Sequence, residues 1–155
     1  MSLTIREKAD VVGTFRHLSI LLMETLARWV PTTPEMEAKI LFGRHIWELA
    51  QHADAFGKRT HELRAALHYT LAPTETYASL LATLVAQTDT GARITGFYDA
   101  ALADLDARYA YYLADTHPLL DEPTVRVIER AVSAPSDHAV RQQARRPVRA
   151  RIHVP

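Results

Sequence analysis

Residues 39–59 read KILFGRHIWELAQHADAFGKR, and the spacing within this run decides the fold. At about 100° per residue, Leu41, Phe42, Leu49 and Phe56 fall on one strip, with Ala38 just upstream. The segment is therefore an amphipathic helix that buries this face. His45, Glu48 and His52 share the strip, at about 0°, 300° and 340° relative to His45. Burying two imidazoles and a carboxylate costs several kcal/mol unless they are hydrogen-bonded, paired or bound to a metal. The helix therefore needs polar partners from elsewhere in the chain.

Upstream, Val11, Phe15, Leu18, Leu22, Leu26 and Trp29 recur at spacings of three and four and predict a first helix from Thr4 to Val30. A turn follows at Pro31-Thr32-Thr33-Pro34, where Thr33 is expected to cap helix 2, with Pro34, Glu35 and Glu37 in the first turn. Helix 2 is expected to run to about Phe56, with Gly57 as its stop. So short a connection makes helices 1 and 2 an antiparallel pair, with position 17 opposite about position 47.

Downstream, Lys58 to Gln87 is less regular and reads as a crossover, with a short helix at Thr60–Arg64 and an amphipathic segment from Thr74 to Val85. A third helix spans Thr88 to Asp115, its inner stripe formed by Ile94, Tyr98, Leu102, Leu105, Tyr109 and Tyr112. Asp121 is the expected N-cap of a fourth helix, whose inner face is Val125, Ile128, Glu129 and Val132 and which Pro135 breaks or kinks. Residues 1–139 thus form one helical domain, and 140–155 a basic, solvated tail.

Composition narrows the function. The chain of 155 residues is 48% hydrophobic and 23% charged, with five glycines, an ordinary balance for a globular domain but poor in the turns an all-β fold needs. It contains no cysteine, which excludes disulfides and thiolate chemistry. The first ten residues are charged where a signal peptide would be apolar, so a cytoplasmic protein with no membrane partner is expected. Five of the 18 basic residues fall within 141–155 without an acidic one, leaving 13 basic against 18 acidic groups in the rest. The tail lacks interleaved aromatics, and no nucleic-acid partner is expected. Neither a glycine-rich phosphate loop, nor GxSxG, nor HExxH is present.

Two helix pairs joined by a crossover, with inward His and Glu on helix 2, resemble the ferritin-like four-helix bundles over roughly residues 4–135. The fold expected is thus all-α, an antiparallel four-helix bundle with a short helical crossover between helices 2 and 3. The resemblance implies Glu on helices 1 and 3 and ExxH on helices 2 and 4. Here helix 2 has HxxE followed by ExxxH, and helix 4 has Glu129 with valine at 132. His17 and Glu24 project away from the helix 1 stripe. His45 and His52 are separated by about 10 Å of helical rise, too far apart to share one ion with bonds of about 2 Å. The metal reading is therefore one histidine with Glu48 and Glu129, a set suited to iron, manganese or zinc.

Three readings stay open. In the first, His45, Glu48, His52 and Glu129 form a metal site of an oxidoreductase acting on a small organic molecule, with Tyr98 and Tyr109 beside it. A metal-free version uses His45, Glu48, His52, Tyr98 and Tyr109 as acid–base groups for isomerisation, cyclisation or dehydration of a small apolar substrate. In the third, the protein is a non-catalytic bundle that binds a partner or forms a homodimer through an exposed face carrying Ile40 and Trp47. An ion pair between Arg108 and Glu129 competes with any role for Glu129 in the site.

Overall fold

The computed structural model describes residues 3–132. In chain order these form α1 (Ile5–Trp29), a 3-10 turn (Val30–Thr32), α2 (Met36–Glu62), α3 (Glu75–Val85), α4 (Thr90–Ile94), a π-helical segment (Thr95–Ala101), α5 (Leu102–Asp115) and α6 (Glu122–Val132). Every regular element among the described residues is helical, as the periodicity predicts. No helix among them is long and apolar enough to cross a membrane. Pro135, His138 and the basic tail lie outside the described residues.

The first helix begins where the sequence says it should. Thr4 Oγ1 accepts from the Glu7 N–H at 3.2 Å, and the Glu7 carboxylate accepts from the Thr4 N–H at 2.7 Å. This reciprocal capping box satisfies donors that a helix start otherwise leaves open. Phe15, Leu18, Leu22, Leu26 and Trp29 are buried against α2. Phe15 meets Phe56 at 5.8 Å between ring centroids, and Trp29 meets Phe42 at 6.1 Å. One antiparallel register accounts for both pairs: facing residue numbers add to 71.

Two local expectations fail for identifiable reasons. Gly57 does not end α2, which continues to Glu62. A Cβ at position 57 would lie 2.9 Å from Arg16 Nε, so this glycine is a seat for a side chain from α1. The helix ends instead where Arg64 takes a left-handed conformation, φ 65°, and the Ala65 N–H returns to the Thr60 carbonyl at 3.0 Å. The segment expected as a short helix at Thr60–Arg64 is thus the last turn of α2 and its exit. Thr33, expected to cap α2, is buried and donates to the Trp29 carbonyl at 2.8 Å, while Glu35 precedes the helix.

The third long helix is continuous from Thr90 to Asp115 but changes pitch in its middle. Thr90, Arg93, Ile94 and Phe97 are buried before the change, and Tyr98, Ala101, Leu102, Leu105, Tyr109 and Tyr112 after it. In an unbroken α-helix these two stripes would point about 80° apart. The wider π turn, with the Leu102 N–H bonded to the Phe97 carbonyl, absorbs that difference, and both halves face inward.

Each end of the molecule is pinned by a buried charge. Arg93 donates to the Gln87 carbonyl at 2.8 Å and to Thr33 Oγ1 at 3.2 Å, and its guanidinium lies 5.4 Å from the Trp29 ring. At the other end Asp121 is fully buried and immediately precedes α6, where its carbonyl accepts from the Val125 N–H at 3.0 Å. Its carboxylate accepts from Tyr112 at 2.5 Å, Thr124 at 2.7 Å, Thr116 at 3.0 Å and Arg59 at 3.1 Å, with Lys8 Nζ at 3.6 Å. Burial alone would push this carboxyl up. The hydrogen bonds from Tyr112, Thr124 and Thr116, with the Lys8 charge, outweigh it and hold the group below its usual range.

Candidate functional site

The α2 strip that carries His45, Glu48 and His52 faces the pitch change. His45, on α2, is 3% exposed, and Tyr98, in the π segment, is 2% exposed. His45 Nδ1 and Tyr98 Oη are 2.8 Å apart, and the two rings lie 5.2 Å apart at 47°. The opposite ring nitrogen, Nε2, is 3.6 Å from Glu48 Oε2, one helical turn on. That distance is too long for a hydrogen bond but short enough for the carboxylate to favour a proton on Nε2. Tyr98 then donates to Nδ1, giving the sequence phenol, imidazole, carboxylate.

Beside this row lies a cavity of about 20 Å³ whose lining includes His45, Glu48, His52, Phe97, Asp106 and Tyr109. It has room for about one water molecule. His52 and Glu48 are half-buried, whereas His45 and Tyr109 are wholly buried. Tyr109 Oη has no partner at hydrogen-bond geometry. Burial pushes its phenol far above the usual range, the neighbouring Ser19 hydroxyl pulling the other way. The tyrosine is thus a neutral donor at any ordinary pH. Its ring meets Phe15 edge-on at 4.9 Å and Phe56 at 5.8 Å.

Five of the six residues selected from sequence therefore share one site, namely His45, Glu48, His52, Tyr98 and Tyr109. Glu129, the sixth, does not join them. It is exposed, because α6 buries Thr124, Ile128 and Ala131 rather than the Val125, Glu129 and Val132 side. The competing ion pair is also not formed. Arg108 Nε donates to Asp104 at 2.7 Å, and its guanidinium lies 4.7 Å from the Tyr77 ring. Nor does His17 reach Glu48, since the α1/α2 register sets position 17 level with about position 54.

No known family model matches this chain, nor does any curated protein or solved structure.

For a metal, the decisive question is how many donors converge. Among the described residues no group of three or more His, Asp or Glu side chains is arranged to hold an ion. His45 presents Nδ1 to Tyr98, and the carboxylate expected from α6 points to solvent. The proposed ligand set of His45, Glu48, His52 and Glu129 thus does not fit a metal as these residues stand. Asp106 and Phe97 belong to the cavity wall but were not selected from sequence. Asp106 flanks the apolar stripe in an α-helical projection, and the cavity reaches that flank.

Proposed function

We propose that the chain is a four-helix bundle of ferritin-like layout whose buried polar row is an acid–base site for a small, largely apolar organic molecule. The observation that carries this reading is the Tyr98–His45 contact at 2.8 Å with Glu48 on the opposite ring nitrogen at 3.6 Å, all set in an apolar core. Such a row is costly to bury, and π-helical turns occur often at functional sites. Glu48, the most accessible member of the row, takes a proton from carbon. His45 Nε2–H hydrogen-bonds the developing enolate oxygen without giving up its proton, Tyr98 supports the imidazole through Nδ1, and Glu48 then returns the proton to a different carbon of the enolate. The net change is a proton shift, as in the isomerisation of a small ketone, and needs no oxidant. The cavity of about 20 Å³ holds only a water, so turnover requires Glu48 and His52 to swing outward and admit the substrate.

The test is deuterium incorporation at the α-carbon of cyclohexanone and of cyclohexenone in D2O, followed by proton NMR. Wild-type protein accelerates exchange above buffer, and Glu48→Gln and His45→Gln each lose about 10²-fold or more of that acceleration. Exchange at the buffer rate with both probes, or equal rates in wild type and variants, overturns the proposal. A second reading, in which the bundle is a non-catalytic binding protein that pairs with another copy, is favoured by the exposure of Trp47 and Ile40 on α2, 67% and 59%.

A further inference from the structure

The outer face of α2 carries its own pattern. Met36, Ile40, Gly43 and Trp47 follow one another at spacings of four, three and four, the alternation of a coiled-coil seam. The seam points about 160° away from the buried strip of the same helix. Its large members are in water: Met36 is 62% exposed, Ile40 59% and Trp47 67%. Gly43 is exposed too, and a Cβ built there would meet nothing within 4 Å. Between two bulky side chains, the helix thus presents a hole.

Read in reverse, the seam complements itself. If a second α2 lies antiparallel with its two-fold axis between Leu41 and Phe42, Ile40 of each copy enters the hole at Gly43 of the other, and Trp47 covers Met36. Antiparallel helices bring equivalent flanks together, and Glu37 and Arg44 lie on the same flank, both exposed. The same axis sets Glu37 of each copy level with Ile46 of the other, two residues or about 3 Å of helical rise from Arg44, a gap the two long side chains span. Large on small and acid on base in one register are the marks of an isologous contact; a foreign partner would impose no such internal match. We infer that α2 is a homodimer seam, with Met36, Ile40, Gly43 and Trp47 at its centre and two Glu37–Arg44 pairs at its rim.

This inference rests on the binding reading and is independent of the acid–base row. Each copy offers apolar area on the order of 300–400 Å², so the pair's apolar contact is about half of a standard interface. The dimer is accordingly weak and reversible, with a dissociation constant on the order of micromolar.

Sedimentation equilibrium of the full chain, from about 1 to 200 µM, reads this directly. Wild type passes from monomer to dimer across the range. Trp47→Ala weakens association at least tenfold, with the helical circular-dichroism signal unchanged. Glu37→Arg and Arg44→Glu each weaken it, and the double variant, which reverses both charges, restores it. A monomer at every concentration overturns both this seam and the binding reading. A dimer indifferent to Trp47→Ala and to the charge reversals overturns the seam and leaves the binding reading standing.

Discussion

Replacing Asp121 by alanine removes the one acceptor on which five donors converge. The carboxylate takes hydrogen bonds from Tyr112, Thr116, Thr124 and Arg59 and faces Lys8 at 3.6 Å. Arg59 and Lys8 side chains are only 11% and 14% exposed, so water compensates little of what is lost. Removing one partner from such a pair costs about 3–5 kcal/mol. Arg59 retains Glu62 at 3.0 Å, which sets the expectation at the lower end, about 3–4 kcal/mol. Urea unfolding at pH 7 measures it, and the melting temperature should fall by roughly 8–12 °C. Because the Asp121 carboxyl is held below its usual range in the folded chain, its contribution is complete above the unfolded value of about 3.9 and is lost as pH falls through the folded one. The gap between wild type and Asp121→Ala must therefore narrow in acid. A gap under about 1 kcal/mol at pH 7, or one that does not shrink towards pH 2, refutes this account of the network.

Two further outcomes follow from backbone geometry. Arg64 sits at φ 65° in the exit from α2, so Arg64→Gly relieves left-handed strain and should raise stability by about 0.5–1 kcal/mol even after the added freedom of the unfolded chain; thermal unfolding reads the sign. Two glycines inside helices should respond oppositely to alanine: at Gly43 the methyl meets nothing within 4 Å and the variant gains up to about 1 kcal/mol of helix propensity, measured by urea unfolding of dilute monomer. At Gly13 the methyl would lie 2.8 Å from the Tyr69 ring, which Asp10 holds at 2.6 Å, and the variant is destabilised in the same measurement.

What the amino-acid pattern revealed depended on how local the cause was. The α1 stripe, its Thr4 start and the inward row of the third helix were legible because each arises within a few turns of one helix. Gly57 misled because a glycine that admits Arg16 and a glycine that ends a helix look alike until the neighbour is placed. Thr33 misled likewise: its hydroxyl serves the Trp29 carbonyl and Arg93, partners supplied by the end of α1 and by α4. For α6, Val125 and Val132 make as good a stripe as Thr124, Ile128 and Ala131. The choice is made by Asp121 and Arg59, which both bond Thr124 and so turn Glu129 outward. His45 with Glu48 was legible as a same-helix pair, whereas Asp106, on the flank of its own stripe, meets a cavity whose other wall comes from α2, which a single-helix pattern does not place.

That change of pitch has a consequence for what the chain can tolerate. Between Ile94 and Leu102 the number of residues, and not only their chemistry, is fixed by the structure. Deleting one residue there would close the π turn to an ordinary one and leave the two halves in phase, but only one of the neighbours Phe97 and Tyr98 could then face inward, so that either Tyr98 parts from His45 or Phe97 from Trp29. A substitution in this stretch alters one side chain in place, while the loss of one residue removes an inward-facing position from the helix altogether. The length of this short segment is therefore a constraint on any sequence that shares the fold, and a single gap in an otherwise matching chain would mark a protein without this site.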